Sequence, residues 1–216
     1  YAMGNWKRPW GIEYRIDLFN AFVLLIIAAI SAVVTFYARL SVAKEIPADR
    51  IRFFYALWLL FITGLLGMTI TGDVFNIYVL MEISSLASYA LVAMGKYHNR
   101  KALSASINYL VLGTIGASFF LLGIGYLYRV TGTLNMADLT EKVKNLHDNR
   151  TVITAFAFLL IGLGVKMALF PLHGWLPNAH GYAPPIVSAL LSAVAIKVGA
   201  YVMIRFLFSI LGVQFS

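Results

Sequence analysis

The chain has 216 residues, 61% of them hydrophobic and 12% charged, with a mean hydropathy of +0.82 and a formal net charge of +8. That balance excludes a soluble globular domain and, at about 20 residues per span, leaves room for one bundle of roughly five to seven membrane-spanning helices. Cysteine is absent, which excludes a disulfide framework or a thiolate metal site, and much of the basic charge lies in short loops beside apolar runs, where it meets anionic lipid rather than nucleic acid.

Residues 1–17 set Trp6, Trp10 and Tyr14 among Lys7, Arg8, Glu13, Arg15 and Asp17, which predicts an interfacial lead-in at the headgroup layer. They carry no charged start, apolar middle and small-residue cleavage site, so a signal peptide is not expected. A first span is predicted over 18–40 and a second over 53–71, joined by a charged loop with Lys44, Glu45, Pro47, Asp49, Arg50 and Arg52. Only Gly72, Asp73 and Val74 separate the second span from a third over 75–95, so these two form an antiparallel hairpin with Asp73 as a turn or cap residue. A fourth span follows over 102–128, then a polar loop over 129–150 that reads as ordinary solvent-facing sequence. A fifth apolar run over 152–170 enters a break holding Pro171, Pro177, Pro184 and Pro185, and a sixth span emerges over 185–210, ahead of a tail over 211–216. The expected fold is an all-α polytopic transmembrane helix bundle of about six spans, one of them discontinuous, over 18–210.

Loop charges tie between the two sides. Arg39, Lys44, Arg50, Arg52, Lys96, Arg100 and Lys101 lie on one, and Lys7, Arg8, Arg15, Arg129, Lys142, Lys144 and Arg150 on the other. The first set is packed into two short loops with only two acids, Glu45 and Asp49, and is placed in the cytoplasm.

Three ionisable residues, Glu82, Lys166 and Lys197, lie deep in apolar runs. Each would cost about 3 kcal/mol facing lipid at a helix centre, so all three are expected to face the bundle interior. Helical spacing puts Tyr78, Ser85 and Tyr89 on the stripe of Glu82, and Tyr201 and Arg205 on that of Lys197. A lysine balanced between burial and a neighbouring carboxylate changes protonation when a nearby charge moves, which is what a proton relay requires. The alternative is a static Glu82–lysine ion pair that fixes helix packing. His173 and His180 flank the break and titrate near neutral pH, which suits relay, or they plug carbonyls freed by the prolines. Asn108 is either a packing amide or the holder of a water in the path. No carboxylate or third histidine stands near the two histidines in sequence, so neither a metal nor a cofactor is expected. The sequence also lacks a nucleophile with its base, a phosphate loop or a nucleotide fingerprint, and hence a catalytic centre of its own.

Three stretches carry a family resemblance: GDVFNIYVLMEISSLASYAL (72–91), TGTLNMADL (131–139) and GVKMALFPLHGWLPNAHGYAPPIVSALLSAVAIKVGAYVMIR (164–205). They resemble the antiporter-like proton-translocating subunits. That family includes the D subunit of Mrp-type sodium/proton antiporters, the related subunits of membrane-bound hydrogenases and the large membrane-arm subunits of respiratory complex I. The resemblance implies that Glu82 matches the glutamate of the family's fifth helix, Lys166 the lysine at its broken seventh helix and Lys197 the lysine of its eighth, with Glu82 and Lys166 as an interacting pair. By the same resemblance the first span corresponds to the family's third helix, and 51–210 to one of its two inverted five-helix repeats. The second repeat then lies outside this sequence, either because the chain is truncated or because a partner supplies it. Asn178 stands where many members have aspartate, and Asn108 where many have a charged residue.

The implied function is proton or sodium/proton translocation within a multisubunit complex of a prokaryotic inner or plasma membrane, which could be redox-driven. Expected partners are other membrane subunits, lipid, protons and, in the antiport case, sodium. The competing expectation is a non-conducting half-subunit that scaffolds such a complex; an intramembrane enzyme acting at the histidines is a third.

Overall fold

The computed structural model describes residues 1–8, 10–144, 146 and 149–212. Within them eight helices carry the fold: α1 (Leu18–Glu45), α2 (Ile51–Ile70), α3 (Val74–Ala93), α4 (Lys101–Thr131), α5 (Met136–Val143), α6 (Arg150–Lys166), α7 (Leu176–Tyr182) and α8 (Pro185–Ile210). Five helical stretches among the described residues are long and apolar enough to cross a membrane: α1, α2 with its leading turn, α3 with its trailing turn, α4 and α8. The fifth predicted span is the broken one. Helix α6 stops at Lys166 after 17 residues, and the chain resumes helix only at Leu176, past Pro171. Proline lacks the N–H needed to continue the ladder, and its ring clashes with the preceding turn.

Local chemistry sets the helix starts. Asp17 and Asn20 form a capping box at α1, with Asp17 Oδ1 accepting from the Asn20 N–H at 2.9 Å and Asn20 Oδ1 from the Asp17 N–H at 2.7 Å. Asp73 caps α3, accepting from the Asn76 N–H at 2.7 Å, so the hairpin tip has the cap its sequence predicts.

Small residues let the helices approach. At the α4–α6 crossing, a methyl added to Gly162 would come within 2.6 Å of the Gly116 carbonyl oxygen, so glycine on both helices sets the spacing. The buried core includes Phe54, Trp58, Phe61, Phe120, Trp175 and Phe206. Helix α1 contributes little to it: only 6 of its 28 residues are buried. Its exposed Phe22, Leu25, Val33 and Phe36 give it the apolar outer surface of a lipid-facing helix.

Two expectations change. The 129–150 loop is not simply solvent-facing, because it holds α5, which buries Leu139 and Val143 and starts on an Asn135 cap. Its alternation of apolar and polar residues was too short to stand out among the surrounding spans. The lead-in also does more than lie at the headgroups. The Gly72 N–H donates to the Glu13 carbonyl at 2.8 Å, the Arg15 N–H to the Ile70 carbonyl at 2.9 Å, and the Asn135 amide to Glu13 Oε1 at 3.0 Å. These bonds tie residues 13–15 to the α2–α3 tip and the start of α5. Of the predicted tail, 213–216 lie outside the described residues.

Candidate functional site

The broken helix places Lys166 at the last position of α6, against the middle of α3. Its Nζ donates to Ser85 Oγ at 2.5 Å. Glu82 sits one turn earlier on α3, half-buried, with Oε1 shielded from solvent and without a hydrogen-bond partner among the described residues. Among the described residues, no ion pair joins Glu82 to a lysine. The ammonium rests on a serine one helical turn from the carboxylate.

Beside the ammonium lies a cavity of about 10 Å³, room for roughly one water, lined by Ser85, Tyr89, Tyr109, Lys166 and Trp175 among others. The rings pack closely. Tyr89 meets Tyr109 edge-on at 4.5 Å, and Tyr109 stacks on Trp175 at 4.1 Å with an interplanar angle of 6°. Tyr78, one turn before Glu82, is half-buried against Phe75.

A second cluster joins α7 to α8. His180 Nδ1 is 2.7 Å from Ser188 Oγ and 3.1 Å from Ser192 Oγ, and Lys197 Nζ donates to the Ser192 carbonyl. That carbonyl lies in a π-helical stretch, Leu191–Ala195, where the regular i to i+4 ladder is interrupted and a carbonyl becomes available to a side chain. Lys197 itself is exposed, against the expectation that all three charges face inward. Its helix turns this position to a face that no other part of the described chain covers, and the amine folds back on its own backbone. His173 lies in the break between the clusters, with its ring against Phe170 at 5.6 Å and Nδ1 buried without a partner among the described residues. No side-chain hydrogen bond among the described residues connects the Lys166 cluster to the His180 cluster.

Tyr201 and Arg205 belong to a third arrangement at the lead-in end of α8. Arg205 Nε donates to the Tyr201 hydroxyl at 2.9 Å, which donates to the Thr69 carbonyl at 3.1 Å, and Arg205 Nη2 pairs with Asp17 Oδ2 at 2.5 Å. Asp17, Tyr201 and Arg205 line a cavity of about 350 Å³. Asn108 is exposed and lines a surface groove with Lys101, Ser104, Asn178 and Tyr182, so it does not pack between helices.

Sequence reasoning missed Ser88, Tyr109, Trp175, Ser188 and Ser192. Serines repeat at helical spacing over Ser84, Ser85 and Ser88 on α3, and Ser188 and Ser192 are four apart on α8. That signal was available, but only the fold shows which serines meet the lysines and His180.

The family model described as NADH:quinone oxidoreductase/Mrp antiporter, TM, matches residues 71–215. The chain is 48% identical over 208 residues to the N subunit of the NADH-quinone oxidoreductase of Desulforudis audaxviator, a match covering 96% of this chain and 41% of that protein. It is 38% identical over 205 residues to the D subunit of the Na+/H+ antiporter of Bacillus subtilis, covering 94% of this chain and 40% of that one. Among solved structures, a chain of the membrane-bound sulfane sulfur reductase, an archaeal respiratory membrane complex, superposes with a TM-score of 0.85 at 38% identity, over 99% of this chain and 42% of its own. A chain of the Mrp complex from Dietzia sp. gives the same TM-score at 27% identity, over 98% of this chain and 38% of its own. The chain therefore spans about two fifths of the length of these relatives.

Proposed function

Because this chain belongs to the NADH:quinone oxidoreductase/Mrp antiporter family of multi-pass membrane proteins, we propose that it forms part of a proton or sodium/proton translocating subunit in a multisubunit complex of a prokaryotic cell membrane. In this reading residues 51–210 are one antiporter-like repeat, and a second repeat, from the same protein or a partner, meets the exposed Lys197. The observation that carries the proposal is Lys166 held on Ser85, one turn from an unpaired Glu82 oxygen, in the interior of a membrane bundle.

The physical logic is charge coupling. In a low-dielectric interior two opposite charges influence each other strongly even without contact, so neutralising Glu82 with a proton removes an attraction that Lys166 feels. Lys166 is then free to pass a proton on, with Ser85 and Tyr89 as neighbouring hydroxyls. His180 and Lys197, linked through Ser192, are the next stations, and His173 in the break lies between. A static ion pair would hold Lys166 on Glu82, and no such contact is formed among the described residues.

The test is proton transport in vesicles carrying the whole complex. Glu82→Gln and Lys166→Ala should each lower the rate by tenfold or more, in line with the roughly 10²-fold or larger effects typical of removing a proton-transfer group. Wild-type rates in both variants would sink the proposal. The second reading, a non-conducting scaffold, draws on the exposure of Lys197 and the uncovered face around it; it predicts intact assembly and unchanged transport in the same two variants.

A further inference from the structure

Trp175 lies at the end of the break, ten residues past Val165, and is 1% exposed. Its Nε1–H donates to the Val165 carbonyl at 2.9 Å. That carbonyl belongs to the last turn of α6, where the Leu169 N–H turns to the Gly164 carbonyl and the Ala168 N–H reaches the Val165 carbonyl at 3.1 Å, so the indole is its second donor. The Trp175 ring stacks on Tyr109, whose hydroxyl is 3.1 Å from Ser88 Oγ, and the Ser88 hydroxyl donates to the Ser85 carbonyl at 2.7 Å. Ser85 in turn accepts from Lys166. The contacts close a ring that leaves Lys166 through its ammonium and returns to it through the backbone of the residue before it.

From this ring, and resting on the relay reading above, we infer that Trp175 is a positioning residue for Lys166. It anchors the end of α6 through the Val165 carbonyl, and through Tyr109 and Ser88 it fixes the register of the break against α3. The ammonium therefore lands on Ser85 and not on Glu82. Indole suits this position because it has one donor at the rim of a large apolar plate, so it satisfies a buried carbonyl and fills the space between α4 and the break. Phenylalanine keeps the plate and loses the donor. The Val165 carbonyl then loses its indole partner, and the end of α6 is free to shift Lys166 towards the carboxylate.

The experiment measures proton transport against pH in vesicles holding the whole complex, for wild type, Trp175→Phe, Tyr109→Phe and Lys166→Ala. Tyr109→Phe keeps the stack and removes only the Ser88 contact, so it serves if Trp175→Phe does not assemble. The inference expects the assembled variants to lose about fivefold in rate, the scale of one buried hydrogen bond, and to move the pH of half-maximal transport, because a shifted Lys166 meets a different charge. A merely structural role would scale the curve down and leave its midpoint in place. If Lys166→Ala abolishes transport while the assembled aromatic variants keep the wild-type midpoint, this inference fails and the relay reading stands. If Lys166→Ala leaves transport intact, the relay reading fails with it.

Discussion

At the scale of the residue, the site turns on which group holds the Lys166 ammonium. Ser85 is a neutral acceptor, so the lysine keeps a hydrogen bond whatever the charge on Glu82. Ser85→Ala should therefore push Lys166 towards the carboxylate, lower proton transport severalfold and leave the assembled complex intact, as read by transport and by yield from size-exclusion chromatography. Asp17 gives a separate prediction at the other end of the bundle. Burial pushes its carboxyl up, but the Arg205 hydrogen bond and the Asn20 amide more than offset this and hold it below the usual carboxylate range. A depressed folded value means that the stabilisation is fully present above the ordinary value of about 4 and is lost as pH falls through the lower folded one. Thermal unfolding in detergent should thus show an acid limb that Asp17→Asn flattens. The pair is partly exposed, so its contribution is only about a few tenths of a kcal/mol.

At the scale of the element, the informative helices are the irregular ones. Helix α6 ends where proline forbids it to continue, and α8 carries π-helical stretches at Leu191–Ala195 and Arg205–Ile210, either side of the turns with Lys197 and Tyr201. The proline break was legible in the sequence because proline acts locally. The π-helical stretches were not, since they answer to packing and leave no composition mark. The same division holds at the α4–α6 crossing. Gly116 and Gly162 were visible as glycines, but their meeting is a tertiary fact. Gly162→Leu should force these helices apart and destabilise the bundle by about 1–3 kcal/mol or more, which thermal unfolding in detergent measures; a substitution that leaves the unfolding midpoint unchanged would contradict the close crossing.

At the scale of the whole molecule, hydropathy and turn residues read out the five continuous spans and the broken one, because lipid demands long apolar helices whatever the tertiary contacts. The deep charges were legible for the same reason: an ionisable residue in such a run stands out. Their environments were not. Reading cost alone turned Lys197 inward, whereas the bundle leaves it on an uncovered face. The lead-in read as headgroup-seeking sequence, yet its backbone is bonded to the hairpin tip and its Glu13 side chain to the start of α5, long-range pairings that aromatic and charged composition does not announce. Proton relay as proposed requires Glu82 and Lys166 to act as one coupled unit without a direct ion pair. A double-mutant cycle of proton transport with Glu82→Gln, Lys166→Gln and the double variant in the whole complex measures that coupling. A coupled pair gives a double variant no slower than the worse single one; losses that multiply independently would contradict the coupling.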